Sequence, residues 1–216
     1  MKNIKDMIQN MTKDITRESI LDGVVFRVIN TETNKGLLNE AVYFKFFDLA
    51  VIYTMPVWED ETDTINMLVL NKTMEHFNIS FQVLQDAAFD NTRKYYDFTV
   101  KDTKEIMTEL GVSAWMMDAD PVQMYVCTSK IIRNGATILL YPEYFAKIAD
   151  ENKCDLFIIP SSINEVLAIP ANTVDDPKDL KDMCRMVNTE EVELKEQLGN
   201  TIYKYNRENR QLEIAC

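Results

Sequence analysis

One histidine, His76, occurs in the 216-residue chain, and that count limits the available chemistry more than any motif does. A Ser–His–Asp or Cys–His site would have to be built on it, as would a zinc site with imidazole ligands. It lies in the stretch MEHFN between short predicted elements, where a lone histidine reads as a surface or helix-end residue. The cysteines, Cys127, Cys154, Cys184 and Cys216, form no CxxC pair. Cys127 and Cys184 fall in apolar stretches and read as core thiols, with no neighbour placed to favour a thiolate. Only 5 glycines are present, and no GxGxxG, GxxxxGK[ST] or GxSxG occurs. The usual phosphate cradles and the esterase elbow are therefore missing, and no catalytic residue is assigned.

Carboxylates are the one reactive group in surplus, 35 acidic residues against 23 basic ones. Asp118 and Asp120, either side of Ala119, would face one way in an extended segment. A Mg²⁺ or Mn²⁺ site could use that pair only with further oxygen ligands, so the plainer reading is a solvated loop before Pro121. No cofactor is expected, with a divalent metal reserved for that alternative.

The net charge of −12 disfavours direct contact with nucleic acid phosphate or anionic lipid and suits a protein partner with a basic surface. Candidate contact residues are Trp58, Glu59, Asp60, Glu61 and Asp63 in one loop and Trp115 in another. Asp175, Asp176, Glu190 and Glu191 bracket a helical region. No apolar run approaches the roughly 20 residues of a membrane span. With scattered thiols and no signal-like start, a cytoplasmic protein is expected.

The periodicity predicts an α+β fold: a mainly antiparallel mixed sheet, helices packed chiefly on one side, and a single domain over residues 19–216. Residues 1–18 form an amphipathic helix whose stripe Ile4, Met7, Ile8, Met11 and Ile15 offers a face for self-association. Strands are predicted at Val24–Ile29, Phe46–Val57, Ile65–Leu70, Tyr95–Val100, Val122–Thr128 and Ala136–Tyr141. Pro56 marks an edge or a bulge. Ser80 caps a helix that runs to about Thr92 and buries Phe81, Leu84, Ala88 and Phe89. Asp102 or Thr103 opens another helix, stopped by Gly111, and Pro142 opens one that ends near Asn152.

The stretch DLFIIPSSINEVLAIPA, Asp155–Ala171, holds two apolar runs around a polar turn and predicts a central β-hairpin. Asp176 and Pro177 start a helix with Leu180, Met183, Cys184 and Val187 on one face. Glu190–Gln197 reads as a second helical segment. Thr201–Tyr205 and Gln211–Ile214 close the chain as two short strands.

Several of these segments, taken in order, resemble an uncharacterised domain family, one of the domains of unknown function frequent in gut Firmicutes and often carried on their mobile elements. The segments are DGVVFRVINTETNKGLL, FFDLAVIY, MYVCTSKIIRNGATILLY, the hairpin stretch, DDPKDLKDMCRMVN and TIYKYNRE, spanning about residues 18–210. The resemblance supplies no activity, cofactor or catalytic residue. Relatives often have further sequence ahead of VVFRVIN, which implies a minimal version here. They often have histidine where this chain has Asn164, which implies that the PSSINE turn is structural in this protein.

The reading that results is a non-enzymatic acidic binding protein. Its more specific form is a mobile-element inhibitor of a host defence or nucleic-acid-processing protein. The alternatives are a metal-dependent hydrolase or nuclease using clustered carboxylates, and a structural self-associating domain.

Overall fold

A computed structural model describes residues 15–59, 64–111 and 123–216. It has an α+β fold with two antiparallel sheets. The chain divides into two compact units, the first holding the described residues up to Arg27, Asn34–Phe46, and those from Ala50 to Tyr95. The second holds Val28–Thr33, Phe47–Leu49 and the described residues from Tyr96 onward.

Along the chain, α1 (Arg17–Gly23) opens with a reciprocal cap. Thr16 Oγ1 accepts from Ser19 N at 3.1 Å, and Thr16 N donates to Ser19 Oγ at 2.9 Å. The predicted amphipathic helix falls outside the described residues except at its end. Strand β1 (Val25–Asn30) follows, then the short α2 (Lys35–Leu38). The run predicted as one strand from Phe46 is two, β2 (Tyr43–Phe46) and β3 (Leu49–Glu59). Phe47 turns the chain between them at φ 55°, a conformation that a phenylalanine gives no sequence warning of.

Strand β4 (Thr64–Leu68) pairs antiparallel with β3, and the register shifts between Pro56 and Trp58, as expected of a strand proline. Helix α3 (Asn71–Phe77) carries His76 on its exposed side. Helix α4 (Phe81–Tyr96) buries Leu84 and Ala88 as predicted. Phe81 and Phe89 instead keep 44% and 41% of their surface exposed. Tyr53 fills the interior against Phe26, Phe44 and Phe81, and Phe89 lies under the Arg93 guanidinium. Asn91 Nδ2 donates to the Leu21 and Val24 carbonyls and so satisfies the end of α1.

The second unit is built on a six-stranded sheet ordered β10-β9-β7-β8-β6-β5. The strands are β5 (Phe98–Asp102), β6 (Tyr125–Ser129), β7 (Leu156–Ser162), β8 (Glu165–Pro170), β9 (Tyr203–Asn206) and β10 (Gln211–Ile214). The predicted hairpin is present as β7–β8 and occupies the middle of the sheet. Both strands are buried in it, Ile158 and Val166 completely, which is why each reads as an unbroken apolar run.

Helix α5 (Thr103–Glu109) is capped by Asp102, whose Oδ1 accepts from Lys104 N at 2.8 Å. Helix α6 (Glu143–Asn152) follows Pro142, and α7 (Pro177–Glu190) is capped by Asp176 through Lys178 N at 2.9 Å. On α7 the buried face is Leu180, Cys184 and Asn188, while Met183 is 39% exposed.

Two stretches of this unit differ from prediction. Gly135–Leu140 is a 3-10 segment, not a strand. Its residues Gly135–Leu139 are buried without alternation, and an apolar run of that length does not distinguish strand from helix. Glu190–Gln197 does not continue as helix, because Gln197 Nε2 donates to the Asn188 and Val192 carbonyls at 2.6 and 2.8 Å and ends α7 there.

The turn between β6 and that 3-10 segment places Ile132 at φ 52° with 73% of its surface exposed. A β-branched residue in the left-handed region is strained by roughly 1–2 kcal/mol. Ile132→Asn is therefore expected to stabilise the fold by about 1 kcal/mol, since asparagine tolerates this region and little apolar burial is lost. A urea midpoint equal to or below that of the parent protein would count against it.

The β9–β10 turn is tied back by ion pairs. Arg207 Nε and Arg210 Nη2 donate to Asp150 Oδ1 at 3.0 and 3.1 Å, while Asp155 accepts from Arg207 N and Lys204 Nζ at 2.9 and 2.7 Å. The Arg210 hydrogen bond, with Arg207, holds the Asp150 carboxyl below its ordinary 3.8. For Asp155, partial burial opposes the charge, and the Arg207 N–H together with Lys204 outweighs it, leaving that pKa lowered too.

Both groups thus bind protons more readily in the unfolded chain. Their contribution is full above the ordinary value near 3.8 and disappears as pH falls through the lower folded values. In urea midpoints measured against pH, Asp155→Asn should flatten this acid limb while leaving the slope near pH 7 unchanged.

Candidate functional site

The sequence-predicted contact residues are divided between the two units, and several lie outside the described residues. In the first unit, Trp58 is half-buried at the β3 bulge, and Glu59 Oε2 accepts from Tyr95 Oη at 2.9 Å. Asp60, Glu61, Asp63, Trp115, Asp118 and Asp120 lie outside the described residues. In the second unit, Asp175 and Asp176 are exposed at the start of α7, where Asp176 is occupied as its cap, and Glu190 and Glu191 are exposed at its end. Among the described residues no three His, Cys, Asp or Glu side chains form a group able to hold a metal ion. Burial pushes the Cys127 and Cys184 thiols up, so neither presents a thiolate at neutral pH.

A cleft of about 630 Å³ does form in the second unit, from residues whose sequence context reads as structural. Its floor follows from strand geometry. Phe98, Val100 and Asp102 alternate along β5 and share one face, and Tyr125 of β6 stands directly opposite Asp102 in the antiparallel register. Its wall follows from helix geometry. Tyr144 and Ile148 lie four apart on α6, while Glu143, Lys147 and Glu151 form a second row four apart beside them. Glu105 of α5 completes the rim. Phe98 meets Tyr144 edge-to-face with ring centroids 5.8 Å apart, so floor and wall are joined by an aromatic contact.

The cleft therefore has an aromatic and aliphatic lining with Asp102, Glu105, Glu143, Glu151 and the Lys147 ammonium around it. Lys147 reaches Glu151 at 4.0 Å with both side chains mostly exposed, a weak pair. Its volume lies within the usual range of ligand pockets, roughly 300–1,000 Å³. The four-residue spacing of Glu143, Lys147 and Glu151 was the one signal in the sequence. The partners on β5 and β6 carry none that would have joined them to it.

The central turn works as structure. Asn164 Oδ1 accepts from Asn134 N at 3.1 Å, its carbonyl accepts from Thr128 Oγ1 at 2.7 Å, and Ser162 Oγ accepts from Asn164 N at 3.1 Å. Asn164 thus fastens the hairpin turn to the β6 side of the sheet.

No curated protein and no solved structure matches this chain. A family model described as a family of unknown function (DUF5688) matches residues 1–207, and the chain belongs to that family.

Proposed function

We propose that this protein works by binding, and that its second unit takes a basic segment of a partner protein into the cleft between β5, β6 and α6. The observation that carries this reading is the combination, in one concavity, of aromatic floor and carboxylate rim. Phe98, Tyr125 and Tyr144 offer ring faces and edges to the stem of a lysine or arginine, whose charged end then meets the rim carboxylates. The overall charge of −12 adds a long-range attraction for such a partner. A partner that handles nucleic acid carries basic segments of this kind, and covering one would inhibit it.

The test is fluorescence anisotropy with a labelled, capped oligolysine peptide and its fully acetylated counterpart. Oligolysine should bind and acetylated oligolysine should not. Binding should weaken as salt is raised, because exposed charges are screened beyond about 8 Å at physiological ionic strength. Glu143→Gln combined with Glu151→Gln should weaken binding about tenfold, two exposed charge pairs contributing up to about 1 kcal/mol each. Lys147→Gln should strengthen it. Equal affinity for both peptides, or indifference to the rim substitutions, would overturn the reading.

A further inference from the structure

Helix α6 borders the cleft with a row of alternating charge: Glu143, Lys147 and Glu151. The row follows from the helical repeat, which sets residues four apart nearly above one another, about 6 Å apart along the axis. The two carboxylates are therefore spaced by about 12 Å, with the ammonium between them. Phe145, Ile148 and Ala149 are buried and anchor α6, so the row is held in place by the core.

A ligand complementary to this row has an order of charge as well as a sign. It carries two cations about 12 Å apart and no cation midway, where Lys147 would repel it. An extended polypeptide meets that spacing. Its alternate side chains share a face, and residues four apart are separated by about 13 Å, so the residue between them on that face stands opposite Lys147. A helix about 10 Å across and 12 Å long would occupy on the order of 900 Å³. That exceeds the cleft's volume of about 630 Å³.

We infer that the cleft reads charge spacing: it takes an extended segment with lysine or arginine at positions i and i+4 and no positive charge at i+2. Lys147 is the residue that rejects a cation at the middle position. This rests on the binding reading given above and adds to it which basic segments are taken.

Two capped, labelled peptides of identical composition and charge test it by anisotropy. One repeats Lys-Ser-Gln-Ser, which places lysines at i and i+4 around a glutamine. The other repeats Lys-Ser-Lys-Ser-Gln-Ser-Gln-Ser, which never does. The parent protein should bind the first about threefold more tightly, the size of effect one exposed charge contact supplies. The Lys147 side chain is 81% exposed, so it can be exchanged without disturbing the core. Lys147→Glu makes the row uniformly acidic and should tighten both peptides while erasing the preference between them.

Equal binding of the two peptides by the parent protein would overturn the inference and leave the binding reading standing. So would a preference that persists in Lys147→Glu, or failure of the first peptide to bind where oligolysine does. If oligolysine itself does not bind the parent protein, the binding reading fails and the inference with it.

Discussion

Gly135→Ala is expected to destabilise the protein by about 3 kcal/mol or more, the upper end of what inserting one carbon into a packed interior costs. A Cβ at this position would stand 2.2 Å from the Asn164 carbonyl oxygen, 2.5 Å from Thr128 Oγ1 and 2.7 Å from Thr128 Cα. Two of those atoms are backbone, and neither side can retreat freely. Ala136 N donates to the Ile163 carbonyl at 3.2 Å, and Thr128 Oγ1 donates to the Asn164 carbonyl at 2.7 Å, so moving Gly135 away breaks the attachments that hold the hairpin turn.

The sign makes this decisive. Glycine to alanine at an unstrained site usually stabilises by about 0.4–1 kcal/mol through the unfolded chain. Gly36, in α2 with nothing within 4 Å of its would-be Cβ, is the matched control and should show that gain. Urea denaturation of both variants reads the contrast. A Gly135→Ala midpoint at or above that of the parent would show that the close approach is not a constraint.

Asn188→Asp, a change of one atom type, is expected to cost about 3–5 kcal/mol at neutral pH, as an uncompensated buried charge does. The Asn188 side chain is 5% exposed, and its Nδ2 donates to the Gly199 carbonyl and to Asn200 Oδ1, both at 2.9 Å. Cys184 Sγ lies 3.6 Å from the same nitrogen. A carboxylate there would aim its charge at acceptors and supply no donor. Its folded pKa would be raised above the unfolded value, so the penalty is full when the unfolded group is ionised and the folded one must be too. It declines as pH falls and the folded acid keeps a proton to donate. The gap between variant and parent midpoints should therefore narrow from pH 7 toward pH 5. A gap that is small at pH 7, or that does not depend on pH, would refute the account.

The parts of the fold legible in the sequence were those with local chemistry. Asp176 followed by Pro177 marked the start of a helix, Pro56 marked an edge or a bulge, and two apolar runs around PSSINE marked the central hairpin. The parts that were not legible depend on distant neighbours. GATILL has strand composition, yet Gly135 has to reach Asn164, almost thirty residues ahead, and the chain tightens into a 3-10 segment beside it. The turn at Phe47 carries neither glycine nor asparagine. Phe81 and Phe89 fit the apolar spacing of α4 but lie at the margin of its buried face, which only the packed surroundings define. The cleft was hidden for the same reason. Asp102 was read, as an alternative to Thr103, as a helix cap and Tyr125 as a strand residue, but their standing opposite each other is a matter of β5–β6 register.

The order of strands in the larger sheet also sets where it opens. Strands β7 and β8 are paired on both sides, to β9 and β6, whereas β5 and β10 end the row. Amides of Ile158, Ile159 and Leu167 can meet solvent deuterium only when the whole unit comes apart, while those at the two ends exchange by local fraying. The cleft floor is on β5, so its occupant would rest on the part of the sheet that opens most readily. Occupation would then be recorded as slowed deuterium uptake in Phe98–Asp102, leaving the already protected middle of the sheet almost unchanged.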